Sequence, residues 1–138
     1  MEHFRTDPRT AYEALSEAQR IAFAPIVFQA CRVMRDSGVL QRVEQGGGAG
    51  MTFAEVAASV ALPPYGIKVL LESGLGIGVF RLNGERFTLT KLGHYLLHDP
   101  MTRINMDVVN EIGYRGMFEL DRSLRDGVPV GLRILGGW

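Results

Sequence analysis

Val79-Phe80-Arg81-Leu82-Asn83-Gly84-Glu85-Arg86-Phe87-Thr88-Leu89 is the stretch that decides the fold. Two segments of alternating character flank Asn83-Gly84, a dipeptide that accepts the positive φ values of a tight hairpin turn. In that hairpin Phe80 and Leu82 face Phe87 and Leu89 across the strands. Two helices are predicted ahead of it. Thr52-Phe53-Ala54-Glu55 is a capping box, in which the threonine and the glutamate satisfy backbone N–H groups reciprocally. The helix it opens turns Phe53, Val56, Ala57 and Val60 inward. Pro63-Pro64 opens the next helix, where a missing N–H would have no intrahelical partner anyway. Its inward positions are Ile67, Leu70 and Leu71, and its predicted end is Ser73-Gly74. After the hairpin, Thr90 caps a third short helix carrying Leu92 and Leu96. Helix, helix, hairpin, helix is the order of a winged helix.

Further out, toward the amino terminus, Asp7-Pro8 predicts a helix start, with Tyr12 and Leu15 at helical spacing and an end near Gln19. Pro25 predicts a second start, since inside a helix it would cost about 3 kcal/mol. From Pro25 to Ser37 the residues Ile26, Val27, Ala30, Val33 and Met34 form one apolar stripe, while Phe28 and Cys31 lie on another face. A helix apolar on several faces is covered on several faces. The cover is either a partner subunit or the chain's own core, and the pattern alone favours neither. The interface candidates are Ile26, Val27, Phe28 and Cys31. Gly38 suits the left-handed position that ends a helix. Gln45-Gly46-Gly47-Gly48-Ala49-Gly50 reads as a plain linker, because a phosphate-cradling loop needs a buried strand before it.

Beyond Pro100 a long helix is predicted over 102–126, with Ile104, Val108, Ile112, Leu120 and Leu124 as its stripe and Gly113 and Gly116 as points where it kinks or packs closely. Gly127 ends it and Pro129 prevents its resumption. The expected class is therefore mainly α: a winged-helix-like helical domain with a small β-hairpin wing, flanked by N-terminal dimerisation helices and a long C-terminal helix. The segments are 1–38, the dimerisation helices; 39–99, the winged-helix core; 100–127, the long helix; and 128–138, a linker stub. The apolar, glycine-rich ending from Val130 to Trp138 reads as a lead into a further domain.

The composition narrows the partners. Among 138 residues, fifteen basic and fifteen acidic side chains give a formal net charge of zero, which points to no polyanion. The polar start has no signal-peptide core, and no apolar run approaches the ~20 residues of a membrane span. The single Cys31 forms no intrachain disulfide, so a reducing cytoplasm is expected.

Four kinds of site come into question. A DNA-reading helix needs several basic or amide side chains. The helix from Pro63 offers Tyr65, Lys68, Glu72 and Ser73, and the wing offers Arg81 and Arg86 beside Glu85. A solvated or protein-packed face is the better reading, with no specific nucleic acid expected. His94 and His98 stand at i, i+4, but Tyr95 occupies the place of a motif glutamate. Asp99, the one further candidate ligand, sits near the helix end, so they read as surface histidines and no metal is assigned. No serine lies in a nucleophile elbow, and Cys31 has no base near it in sequence, so no catalytic residue is assigned. Finally Met106, Asn110, Gly113, Tyr114, Met117 and Phe118 make a soft apolar surface, read more readily as core than as a ligand wall.

Taken in order, these elements resemble the N-terminal dimerisation domain of class I S-adenosylmethionine-dependent O-methyltransferases. The resemblance rests on Thr52-Phe53-Ala54-Glu55-Val56-Ala57, Val69-Leu70-Leu71-Glu72-Ser73-Gly74-Leu75 and Phe87-Thr88-Leu89-Thr90-Lys91-Leu92-Gly93 with Leu96-Leu97. It extends to Tyr114-Arg115-Gly116-Met117-Phe118-Glu119-Leu120 and Arg122-Ser123-Leu124-Arg125-Asp126-Gly127. Transcription regulators share the winged-helix part; the last helix with its Asp126-Gly127-Val128-Pro129 exit favours the methyltransferases. Gly74-Leu75-Gly76-Ile77-Gly78 departs from the family's polar stretch before the wing. The resemblance implies an intertwined homodimer through the N-terminal helices. It also implies a small-molecule acceptor lined in part by Met106, Asn110, Tyr114, Met117 and Phe118. S-adenosylmethionine and the catalytic base would belong to a following domain, leaving this chain without cofactor and inactive by itself. The alternative is a small winged-helix DNA-binding transcription regulator.

Overall fold

The computed structural model describes residues 5–136; Met1 to Phe4 and the final Gly137 and Trp138 of the apolar tail lie outside the described residues. Helix α1 runs unbroken over Ala11–Asp36. It differs from the expectation at both ends of its first half. The cap is Thr10, which forms a full capping box with Glu13, rather than Asp7, and Pro25 lies inside the helix rather than at a new start. Pro25 removes one N–H from the ladder, but it sits on an exposed turn, where water can satisfy the freed carbonyl. Gly38, at φ 88°, ends the helix and leads into α2, Val39–Gln45.

A 3₁₀ turn over Gly47–Ala49 joins α2 to a short strand, β1, Met51–Thr52. The capping box is present as read. The Thr52 hydroxyl accepts from the Glu55 N–H, and the Glu55 carboxylate accepts from the Thr52 N–H at 2.7 Å. It starts α3, Phe53–Ala57. Helix α4 spans Pro64–Ile77 and ends at left-handed Gly78, one turn beyond Ser73-Gly74. Gly74 continues the helix because its bareness is used in packing: a Cβ there would lie 2.3 Å from the Phe80 ring.

Strands β2, Phe80–Asn83, and β3, Arg86–Leu89, pair as expected, Phe80 with Leu89 and Leu82 with Phe87. The loop is Gly84-Glu85 rather than Asn83-Gly84. Gly84 at φ 58° takes the first central position and no non-glycine residue among the described residues has positive φ, which is the type II′ pattern. Strand β1 adds to β3, giving the order β1-β3-β2. Two residues are too short a strand to announce themselves in sequence. Thr90 caps α5, Lys91–His98, through the Gly93 N–H.

The segment after α5 is helical throughout 100–126, as expected, but its helical turns change type along the way. Asp99 caps α6, Pro100–Val108. A π-helical turn follows over Val109–Gly113, closed by the Tyr114 N–H on the Val109 carbonyl. Then come α7, Tyr114–Gly116, a 3₁₀ turn at Met117–Glu119, and α8, Leu120–Asp126. The predicted stripe looks outward: Ile104, Val108, Leu120 and Leu124 are exposed. Val130–Leu135 folds back in 3₁₀ turns, so close to α7 that a Cβ on Gly131 would lie 2.4 Å from the Gly116 carbonyl oxygen.

The core gathers Met34, Leu40, Val43, Val56, Ile67, Leu71 and Phe80 between the end of α1, α2, α3, α4 and the sheet. No helix among the described residues is long and apolar enough to cross a membrane.

Candidate functional site

The carboxyl half of α1 and the segment 107–114 are stitched by polar contacts over a stacked aromatic pair. Arg35, almost wholly buried, donates to Asp107 Oδ1 at 2.6 Å and to Asp36 Oδ1 at 2.9 Å. Burial alone would lower the guanidinium pKa; the bonds to Asp36 and Asp107 outweigh it and hold it above its ordinary value. Gln29 donates to Asn110 at 3.3 Å. The rings of Phe28 and Tyr114 stack at 5.5 Å, and the Tyr114 hydroxyl donates to the Pro25 carbonyl at 2.9 Å.

Above this seam lies an apolar hollow of about 460 Å³, lined by Pro25, Val109, Gly113, Tyr114, Met117 and Phe118. Of the five residues proposed to line an acceptor, Tyr114, Met117 and Phe118 form its wall, and the latter two are exposed. Asn110 stands at the seam instead, held by Gln29. Met106 packs instead in the chain's own core, at 7% exposure. Pro25, Val109 and Gly113 are not foreseeable as a set. A uniform helix puts Val109 and Gly113 on one face, but nothing in the sequence brings Pro25 to them.

The proposed interface residues separate. Ile26 points outward at 65% exposure. Val27 and Phe28 are half-buried and pack against the chain's own core. Cys31 lies inside that core, and burial pushes its thiol pKa up. Upstream, Tyr12, Leu15, Ile21 and Phe23 are exposed along the amino-terminal half of α1. A second hollow, about 420 Å³, runs between α1 and α4 past Ile26, Val33, Val69 and Ser73.

The exposed face of α4 carries Lys68 beside Glu72 at 3.9 Å. The wing's Arg86 is turned back onto Glu55 at 3.0 Å and onto the Ala49 and Gly50 carbonyls. Both cations are thus engaged within the chain. His94 and His98 are on α5, as expected, but their shared neighbour is Glu44 of α2 rather than Asp99.

Compared with known proteins, the chain matches a family model described as the Dimerisation2-like domain over residues 16–87. No curated protein gives a significant match. Two of the solved structures that share the fold are methyltransferases. One is an S-adenosylmethionine-dependent methyltransferase, SibL, in its apo form, with TM-score 0.78 and 21% identity over 90% of this chain. The other is human N-acetylserotonin methyltransferase in complex with SAM, with TM-score 0.65 and 20% identity over 88% of this chain. The chain spans 37% of the first and 36% of the second, little more than a third of either.

Proposed function

From the premise that the chain belongs to the Dimerisation2-like domain family, we propose that it is the dimerisation and substrate-capping domain of an S-adenosylmethionine-dependent O-methyltransferase, without catalysis of its own. One observation carries the reading. Apolar side chains of α1 and of the segment 109–118, which meet at Pro25 and Tyr114, stand uncovered where a lone domain would bury them. From Ala11 to Ile26, α1 extends about 24 Å at 1.5 Å per residue, with Tyr12, Leu15, Phe23 and Ile26 in solvent along one side and Ile21 in solvent on the opposite one. Scattered apolar residues are ordinary on a surface, but a contiguous face of this kind marks an interaction site. A second copy is the partner that the family's description favours, and the hollow at Tyr114, Met117 and Phe118 is the part offered to an acceptor. An open, apolar wall with flexible methionine suits a planar aromatic molecule. S-adenosylmethionine would be held by the catalytic domain of the whole enzyme, in a cytoplasm where Cys31 stays a thiol.

Sedimentation equilibrium tests the dimer. At micromolar concentration the chain should run at twice its mass, and Ile26→Asp should shift it toward monomer while the core stays folded. A wild-type chain that is monomeric throughout the micromolar range contradicts the reading. Calorimetric titration with S-adenosylmethionine should give no saturable heat, because the described strands form a short antiparallel sheet rather than the open parallel sheet whose strand ends bind such cofactors.

The regulator reading has the geometry of a recognition helix and a wing but few cations there: Lys68 is beside Glu72 and Arg86 is held on Glu55, which leaves Arg81 of the wing without an ion-pair partner among the described residues. Any DNA binding should be weak and without sequence preference. A mobility shift that survives competitor DNA and disappears in Lys68→Ala would reverse that choice.

A further inference from the structure

Helix α5 presents His94 and His98 one turn apart, and α2 brings Glu44 against both from fifty residues away. The Glu44 carboxylate lies 2.7 and 2.9 Å from His98 Nε2 and 3.3 Å from His94 Nδ1. The two imidazole rings are tilted toward each other with centroids 4.6 Å apart. One ligand atom from each of the three side chains falls within a 4.8 Å span. Around a tetrahedral zinc ion, ligand atoms at about 2.0–2.1 Å would lie about 3.3 Å from one another. The observed separations bracket that value, so small rotations of the exposed rings would converge all three on one ion. We propose that Glu44, His94 and His98 form a binding site for a divalent transition-metal ion of the zinc class.

The chemistry of the donors favours this class. Two neutral imidazoles and one carboxylate suit zinc, nickel or copper, and are a poor set for calcium or magnesium, which take oxygen ligands. Three protein ligands leave a fourth position open to water. A hollow of about 170 Å³ lined by Glu44, Gly47, Leu89, Thr90 and His94 adjoins the three, giving that position room. Without a metal, the carboxylate serves as a shared acceptor for two ring N–H groups. With a metal, those same nitrogens must be bare, so each neutral ring carries its hydrogen on its other nitrogen and the ion takes the place facing the carboxylate. The site would fasten α2 to α5 across the base of the wing. It lies apart from the hollow at Tyr114 and does not depend on the methyltransferase reading.

The test uses the chain without any affinity tag. Zinc chloride is titrated in competition with a chromogenic chelator, and one equivalent should bind with a dissociation constant in the micromolar range or tighter. His98→Gln and Glu44→Gln should each weaken it by at least tenfold, the lower end of what even an outer-shell partner contributes, about 10–100-fold. His3→Gln, which removes the remaining histidine, should leave binding unchanged. Paramagnetic cobalt added to the wild-type chain should broaden the ring resonances of His94 and His98 ahead of all others, a readout that needs no variant to fold. Absence of one-to-one zinc binding overturns the proposal. So does binding that survives both substitutions or depends on His3, and so does cobalt broadening elsewhere with the two rings untouched.

Discussion

Single residues carry much of what keeps this chain in one conformation, and two glycines of α4 show how differently the same residue type can act. Gly74 is buried against Phe80 and Met34, and an added methyl would meet the Phe80 ring at 2.3 Å and the Met34 sulfur at 3.3 Å. Phe80 is itself 2% exposed and has no room to retreat. Gly74→Ala should therefore destabilise the fold by about 1–3 kcal/mol, as overpacking does. Gly76 is two residues on, exposed, and a methyl added there would meet nothing within 4 Å. Gly76→Ala should stabilise by about 0.5–1 kcal/mol through lost freedom of the unfolded chain. Denaturant midpoints of the pair check the contrast, which would fail if both moved in the same direction. The caps give a pH dependence. The Thr52 N–H, with the hydroxyl and then Arg86 adding to it, holds the Glu55 carboxyl below its ordinary range, and the Thr10 N–H does the same for Glu13. A folded pKa below the unfolded one contributes stability above the unfolded value of about 4.3. That contribution is lost as pH falls through the folded value. Thr52→Ala should cost about 1 kcal/mol at neutral pH, and most of that deficit should persist in acid, because the bond from the Glu55 N–H to the hydroxyl does not titrate and only the hydroxyl's bond to the Glu55 carboxylate is lost on protonation.

Among the elements, the least expected is an α1 that passes through Pro25, and the contact that suits it is supplied from far away in sequence. The Tyr114 hydroxyl donates to the Pro25 carbonyl, and its ring stacks on Phe28. Tyr114→Phe keeps the stack and removes the bond, so it should cost about 0.5–1.5 kcal/mol and speed amide exchange around residues 21–29 more than elsewhere. Uniform exchange would deny the link. The contrast between legible and illegible features follows the range of the interactions. The capping box at Thr52, the glycine at 38, Pro63-Pro64 and the β2–β3 register are local patterns, and each is readable in the sequence. Pro25 inside a helix, the π turn at Val109–Gly113 and the two-residue β1 have partners 34 to 89 positions away, which periodicity does not report. The candidate site divides in the same manner. Met117 and Phe118 are legible as an apolar surface, whereas Met106 goes to the core. Glu44 is invisible in sequence as a neighbour of the histidines, because only the fold joins α2 to α5.

For the molecule as a whole, the feature with the widest reach is the uncovered amino-terminal half of α1. Short helices in water are marginal, and from Ala11 to Ile26 almost every residue of this one lies in solvent. Its order must then come from what it meets, and under the dimer reading that is another chain. Mass action follows: the melting temperature should climb with protein concentration, since association favours only the folded state. A melting temperature constant over a hundredfold range of concentration would count against it. Dilution should also act selectively. The amides of residues 11–24 should lose protection from hydrogen exchange as the protein is thinned, while those of Leu40, Val43 and Leu71 keep theirs. The arm would then work as a gauge of the chain's own abundance, folded when copies are plentiful and frayed when they are scarce. Proteolysis would read that gauge, since a frayed arm offers Arg20 to trypsin and an engaged one does not.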